Sequence, residues 1–136
     1  MDKINAAELI PQKTPFVMVD NLIEITENCF ITEFTINPDN VLINENEFSE
    51  AGLIENMAQS AAAGSGYEYL SKNQAVPVGY IGAVKNTEIY YLPKIGETIQ
   101  TEIRTKNKIG NASIVEGKIF LDKQLIACCE LTIFTS

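Results

Sequence analysis

The amino-acid sequence predicts an α+β fold in which a curved antiparallel sheet of about six strands wraps around one long helix. Only residues 49–72 show helical periodicity over a long stretch, whereas much of the remaining chain alternates apolar and polar residues. The last three strand segments are joined by tight turns, so they must be antiparallel. Helices and strands do not alternate along the chain, which argues against a parallel α/β sheet.

The chain is predicted to form a single domain over residues 1–136. Its length is sufficient for one hydrophobic core. The apolar fraction of 46% and the charged fraction of 21% are typical of a globular protein, and the sequence contains no repeat or low-complexity tract.

The N-terminal third is predicted to contain a short helix and a hairpin. Residues 3–10 have an amphipathic pattern that Pro11 ends. Residues 16–25 and 29–36 are rich in apolar and β-branched side chains, and the polar turn between them indicates an antiparallel pair. Residues 37–48 are predicted to be a loop. The residues expected to face inward from the short helix are Ile4, Ala7, Leu9 and Ile10.

The central helix is predicted over residues 49–72, with Ser49 as the N-cap. Apolar and small residues at steps of three and four predict one buried stripe. Glycine inside a helix costs roughly 1 kcal/mol, so Gly64 and Gly66 indicate close contact with another element. The stripe is predicted to contain Leu53, Met57, Ala61 and Gly64.

Four more strands are predicted after the helix. A glycine inside a strand often marks the close approach of another backbone or of a ligand. We therefore expect Gly82 and its neighbour Ala83 to contact a ligand. The four strands are predicted at residues 78–91, 98–109, 112–121 and 125–135.

One residue of the central helix does not fit a purely structural role. Glu55 lies in the second turn among apolar or small neighbours, and Gln59 follows four residues later on the same face. Because ionisable side chains are seldom fully buried, the simpler interpretation places Glu55 at the rim of the stripe. The alternative is a partly buried carboxylate at a functional site.

The composition excludes several kinds of chemistry. The chain has no histidine, so it cannot supply a Ser/His or Cys/His pair, a histidine base or a histidine metal ligand. Its cysteines at 29, 128 and 129 lack metal-binding spacing and are predicted to be small hydrophobic residues in a reducing compartment. Neither a metal nor a cofactor is expected. The net charge of −8 argues against nucleic-acid binding.

The sequence predicts no association with a membrane. No apolar stretch approaches the length of a transmembrane helix. Residues 1–13 lack the apolar run of a signal peptide. We therefore expect a cytoplasmic protein.

Three segments carry motifs that occur together in one family of enzymes. Residues 9–20 resemble an opening Leu-Pro-His-Arg-x-Pro-Phe-Leu-Leu-Val-Asp motif, and residues 53–59 resemble a central helix with Glu-x-Met-Ala-Gln. Residues 80–86 and 92–97 resemble a later strand and its Pro-x-x-x-Gly-Asp turn. In this order, and over nearly the whole length, the chain resembles the hotdog-fold 3-hydroxyacyl-[acyl-carrier-protein] dehydratases.

The resemblance implies removal of water from a 3-hydroxyacyl thioester. In that family a loop histidine and a helix glutamate from different protomers act together, and the acyl chain lies along the interface between them. Glu55 matches the glutamate and is the catalytic candidate, whereas Gln59 and Phe48 are substrate-binding candidates. The loop histidine has no counterpart, and Gln12 replaces the histidine of the opening motif.

Because dehydration needs both a base and an acid, the missing histidine leaves three hypotheses. In the first, the chain is a catalytically weak, acyl-binding subunit of fatty-acid or polyene-type biosynthesis, and Glu55 completes a site whose histidine comes from a partner. In the second, a loop carboxylate, Glu45 or Glu47, replaces the histidine and the chain is active alone. In the third, the chain is an acyl thioesterase in which the helix carboxylate activates water.

The expected partners are an acyl carrier protein or acyl thioester, and a second hotdog chain in a homodimer or heterodimer. Carrier proteins are acidic, so docking requires a local basic patch. Arg104, Lys106 and Lys108 alternate along one predicted strand and are candidates for that patch. A solvated strand face gives the same pattern.

Overall fold

The computed structural model describes residues 1–135, in which one seven-stranded antiparallel sheet packs against one long helix. This architecture confirms the predicted hotdog fold. A 3₁₀ turn covers Ala6–Glu8, the helix α1 covers Glu50–Ser71, and a separate two-stranded ribbon precedes α1. The strands are β1 (Ile4–Asn5), β2 (Asn21–Thr26), β3 (Cys29–Thr35), β4 (Ile43–Asn44), β5 (Glu47–Phe48), β6 (Gly79–Ile89), β7 (Thr98–Ile109), β8 (Ala112–Leu121) and β9 (Gln124–Thr135).

The large sheet has the strand order β1-β2-β3-β7-β8-β9-β6, and every neighbouring pair is antiparallel. Tight turns join β7 to β8 and β8 to β9, as the sequence predicts. The strand after the helix, β6, does not pair with its sequence neighbour β7 but crosses to the far edge beside β9. Strand β3 pairs with β7 so that Phe30 lies opposite Ile103 and Thr32 lies opposite Thr101.

The helix begins as the sequence predicts. Ser49 is the N-cap, and its hydroxyl accepts a hydrogen bond from the Gly52 N–H at 3.1 Å. The predicted stripe of Leu53, Met57, Ala61 and Gly64 is buried against the sheet. The stripe therefore forms the centre of the hydrophobic core, together with inward-facing residues of the strands.

The predicted short helix at residues 3–10 is wrong. The chain forms a two-residue strand and then a 3₁₀ turn, because the Ala6 N–H donates to the Asp20 carbonyl at 2.9 Å and so joins this segment to the sheet. Ala6 is consequently the buried residue, whereas Ala7 is exposed. Leu9 and Ile10 are buried, as expected.

Two further boundaries differ from the prediction. The first long strand begins at Asn21 rather than Phe16, and the side chain of Phe16 is 62% exposed. The predicted loop at residues 37–48 contains the β4–β5 ribbon, because Glu45 and Asn46 both adopt positive φ and form a tight turn. The Phe48 N–H then donates to the Pro93 carbonyl at 2.7 Å, which fixes the entry to α1.

Close contacts explain the two glycines in the C-terminal half of the helix, Gly64 and Gly66. A Cβ atom at Gly64 would overlap the ring of Phe30, and one at Gly66 would overlap the carbonyl of Leu9. The sheet and the N-terminal segment therefore approach the helix backbone more closely than a side chain at either position would allow.

We expect Gly64→Ala to destabilise the protein by about 1–3 kcal/mol, because the added methyl group forces the Phe30 ring to move. At an exposed helix position the same change would stabilise by about 1 kcal/mol. Urea denaturation measures the difference, with Ser65→Ala as the neighbouring control. Phe30→Leu in the Gly64→Ala background should recover part of the loss, and a stabilising Gly64→Ala would contradict the close contact.

Candidate active site

The N-terminal half of α1 buries three polar side chains, Asn56, Gln59 and Ser60. Ser60 shares a 2.7 Å hydrogen bond with the hydroxyl of Thr32 on β3. Buried polar groups are stable only when they are hydrogen-bonded, and all three of these side chains have partners. The other two bind the main chain of an irregular segment, residues 16–18.

Asn56 joins this segment to the sheet through the helix. Its Nδ2 donates to the Met18 carbonyl at 2.7 Å, and its Oδ1 accepts a hydrogen bond from the Thr101 hydroxyl at 2.5 Å. All three residues are buried. Asn56 therefore fixes the distance between residues 16–18 on one side of the helix and β7 on the other.

Gln59 binds the same segment one helical turn later. Its Oε1 accepts a hydrogen bond from the Met18 N–H at 2.6 Å. Its Nε2 donates to the Phe16 carbonyl at 2.9 Å and to Oε1 of Glu55 at 3.0 Å. Helix side chains thus bind three main-chain groups of this segment, the Phe16 carbonyl and the N–H and carbonyl of Met18, in place of a neighbouring strand.

Glu55 is half-buried and lines a cleft between the helix and the sheet. One carboxylate oxygen, Oε1, accepts the hydrogen bond from Gln59. Within residues 1–135, no protein donor binds the other oxygen, Oε2. The carboxylate is therefore held at one oxygen and free to act at the other.

The cleft has a volume of about 420 Å³ and mostly apolar walls. Small helix residues form one wall, and β6 to β9 form the other. Glu55 and Glu68, which both line it, are about 20 Å apart along a helix that rises about 1.5 Å per residue. The apolar wall includes Leu9, Phe30, Ala58, Ala61, Ala62, Ile81, Ile103, Val115 and Ile133.

The far end of the cleft is polar. Glu68 and Lys108 line both this cleft and an adjoining polar cavity of about 240 Å³. Gln12 also lines the main cleft, and its Oε1 is the one buried side-chain oxygen or nitrogen in residues 1–135 that lacks a hydrogen-bond partner. An extended apolar chain placed beside Glu55 would therefore meet apolar walls first and polar groups at the far end.

The structure does not bring the other predicted site residues into this cleft. Glu47 lines a separate cavity of about 310 Å³ that shares no residue with the cleft of Glu55. Phe48 is fully buried and packs at 5.5 Å, centroid to centroid, against the ring of Phe34. Gly82 lies on β6 against the ring of Phe134, and Ala83 follows it. The roles assigned to these residues, and to the buried Gln59, stay predictions.

The three cysteines form no disulfide in the described part of the chain. Cys29 and Cys129 are buried, Cys128 is half-buried, and all three are free thiols. Burial raises the pKa of the Cys129 thiol to about 11, so this side chain is a poor nucleophile at neutral pH. Within residues 1–135, no group of three Cys, Asp or Glu residues is arranged to hold a metal ion.

The predicted basic patch on β7 is partly neutralised. Arg104 pairs with Glu102 at 3.2 Å, and Lys106 pairs with Glu130 at 2.9 Å. Within residues 1–135, Lys108 has no such carboxylate partner. Within residues 1–135, no helix combines the length and the apolar character needed to cross a membrane.

The sequence pattern points to Glu55 but does not reveal the role of Asn56. Polar residues at 55, 56, 59 and 60 interrupt an otherwise apolar helix at helical spacing, which was the available signal. Glu55 pairs with Gln59 of the same helix, but the partners of Asn56 and Ser60 and the main-chain partners of Gln59 lie more than 25 positions away, in residues 16–18, β3 and β7. No local pattern could have identified them.

Comparison with known proteins supports one family. A family model described as ApeP-like, ApeP dehydratase, matches residues 4–136. The 3-hydroxyacyl-[acyl-carrier-protein] dehydratase FabZ of Sulfurimonas denitrificans is 25% identical over 144 residues, covering 96% of this chain and 94% of that protein. The protein of the same name from Campylobacter lari is 24% identical over 143 residues, with the same coverage of 96% and 94%.

Solved structures support the fold. The dehydratase heterocomplex ApeI:P from Xenorhabdus doucetiae contains a chain that superposes with a TM-score of 0.91 at 16% identity, covering 98% of this chain and 91% of that one. The uncharacterized protein PH1136 from Pyrococcus horikoshii superposes with a TM-score of 0.71 at 14% identity, covering 100% and 95%. At these identities the likeness concerns the fold alone.

We expect Asn56→Leu to destabilise the protein by about 1–3 kcal/mol, because it leaves the buried Met18 carbonyl and Thr101 hydroxyl without their partner. Thr101→Val in the same background should add less than its own single effect, since the shared hydrogen bond is already lost. Denaturant titration of the four proteins checks this. Gln100→Leu, at an exposed position of the same strand, is the control and should change stability by about 0.5 kcal/mol or less. Fully additive losses would contradict the coupling.

Proposed function

The chain belongs to the ApeP-like dehydratase family, and we propose that it is a dehydratase-like subunit that binds a 3-hydroxyacyl thioester and contributes Glu55 to a site shared with a histidine-bearing hotdog partner. The observation that carries this proposal is a half-buried carboxylate with one free oxygen in an apolar cleft, in a chain without histidine. The proposed setting is fatty-acid or polyene-type chain assembly on an acyl carrier protein in the cytoplasm.

The reaction requires two groups. A base removes the proton from C2 of the acyl chain, the C3–O bond breaks, and an acid protonates the departing hydroxyl so that it leaves as water. Each positioned group typically contributes 10²–10⁴ in rate. Glu55, with its free Oε2, suits one of these roles and leaves the other unfilled.

Within residues 1–135 of one protomer, Glu68 is the one other carboxylate that lines the cleft. Glu68 lies about 20 Å from Glu55 along the helix, too far to act on the same bond. Glu47 opens into a different cavity. This arrangement favours a partner that supplies the second group over activity of the isolated chain with a loop carboxylate.

The edge of the sheet offers a place for that partner. β6 is an 11-residue edge strand that pairs on one side with β9. It exposes apolar side chains, among them Tyr80, Ile81 and Val84. Unpaired edges invite pairing with another chain, and β6 also lines the cleft through Gly79 and its neighbours. A hotdog chain that extends the sheet at β6 would therefore lie close to the acyl site, and the heterocomplex ApeI:P supports a partner of this kind.

We expect Glu55→Gln to reduce turnover of a 3-hydroxyacyl thioester by about 10²-fold or more in the complex with a histidine-bearing partner. The amide cannot act as a general acid or base. Formation of the enoyl product, followed by absorbance, measures the change. Glu68→Gln is the matched control, as it removes a carboxylate from the same cleft and helix, and should retain activity.

Other outcomes of this assay would favour the alternatives. Dehydration by the purified chain without any partner would contradict a shared site and favour a second carboxylate within the homo-oligomer. Release of free thiol from an acyl thioester, without dehydration, would favour a thioesterase in which Glu55 activates water. Unchanged turnover of the Glu55→Gln complex would remove Glu55 from the reaction.

We expect Val84→Lys to weaken association with the hotdog partner, or self-association where the wild-type chain is a homodimer. The change places a charge on the exposed apolar edge of β6. Sedimentation of the mixed chains measures the fraction in complex. Ile109→Lys is the control, because Ile109 is also apolar and exposed but lies at the end of β7. Loss of association with Ile109→Lys and not with Val84→Lys would place the interface elsewhere.

A further inference from the structure

We propose that Gln59 is a positioning residue that orients the carboxylate of Glu55, and not a contact of the substrate. The inference rests on the proposed function, since it assigns Gln59 a role in the same reaction. It is carried by the hydrogen bonds of the Gln59 amide and by the burial of that side chain.

A substrate in the cleft does not reach Gln59. The residue is 1% exposed and does not line the cleft that Glu55 lines. Its amide is also fully engaged: Oε1 accepts from the Met18 N–H, and Nε2 donates to both Phe16 and Glu55. An amide nitrogen has two protons to donate, so none remains for a ligand.

The main chain of residues 16–18 fixes which way the amide points. The Met18 N–H can only donate, so the atom facing it must be Oε1. The Phe16 carbonyl can only accept, so the atom facing it must be Nε2. The group presented to Glu55 is therefore a donor, and Oε1 of Glu55 must be its acceptor.

The consequence for Glu55 is a fixed orientation. The terminal torsion of a glutamate side chain is soft and broad, so an unrestrained carboxylate would rotate in the cleft. The bond from Gln59 occupies Oε1 and leaves Oε2 as the free oxygen. Because Met18 is buried, the anchor that sets this orientation is part of the core. Displacing a reacting group by about 1 Å can cost about 10² in rate.

The test separates orientation from stability. Gln59→Leu removes the donor to Glu55 together with the two bonds to residues 16–18, whereas Thr32→Val removes a buried hydrogen bond to Ser60 of the same helix without touching residues 16–18 or Glu55. Turnover by the complex with the histidine-bearing partner is measured well below the unfolding midpoint of each variant. We expect Gln59→Leu to lower kcat by about tenfold or more and to leave KM within about twofold. Thr32→Val should lower the midpoint and keep the wild-type kcat.

A second variant covers the case in which Gln59→Leu does not fold. Gln59→Met keeps the length of the side chain but has no N–H to donate to Glu55, so kcat should again fall while KM holds. Wild-type kcat in either folded Gln59 variant, or an equal loss of kcat in Thr32→Val, overturns the positioning role. If those variants keep wild-type kcat while Glu55→Gln is inactive, the inference fails alone. If Glu55→Gln is fully active, the proposed function fails with it.

Discussion

The structure depends on the way the central helix satisfies the main chain of residues 16–18. This segment precedes the first long strand and lies outside the sheet, yet Met18 and the following residue, Val19, are buried in the core. Buried peptide groups without partners cost about 1–3 kcal/mol each. Asn56 and Gln59 provide the partners, so two polar side chains in an apolar helix let the chain enter the core without forming a strand.

The same hydrogen bonds connect the stability of the fold with the candidate site. Gln59 binds the irregular segment and Glu55 through one amide group. Asn56 extends the connection across the helix to Thr101 in the centre of the sheet. A fully satisfied buried network is rigid, and the loss of one member leaves the others unpaired. The carboxylate is thus held by groups that the core requires, although it lies at the wall of the cleft.

Local signals made much of the fold predictable. The bounds of β7 and β8 and the cap at Ser49 follow from alternation, tight turns and capping chemistry, all of which act within a few residues. The start of the first long strand could not be predicted in this way. Phe16 belongs to an apolar run whose hydrogen-bond partners lie 41 and 43 residues away in the chain. Glu55 could be found by its position among apolar neighbours. Its cleft could not, because the walls come from both ends of the chain, from Leu9 to Ile133.

The charges on β7 bear on how an acidic carrier protein would reach the cleft. Arg104 and Lys106 are each engaged by a carboxylate of the same sheet, and the chain as a whole carries a net charge of −8. Exposed ion pairs are weak, but each still cancels much of the local positive potential that would steer an acidic partner. In the proposed shared site, the other subunit would therefore have to supply most of the attraction for the carrier, as well as the imidazole that this chain lacks. The chain described here would supply the apolar cleft and one oriented acid, and both are properties of its core rather than of its surface.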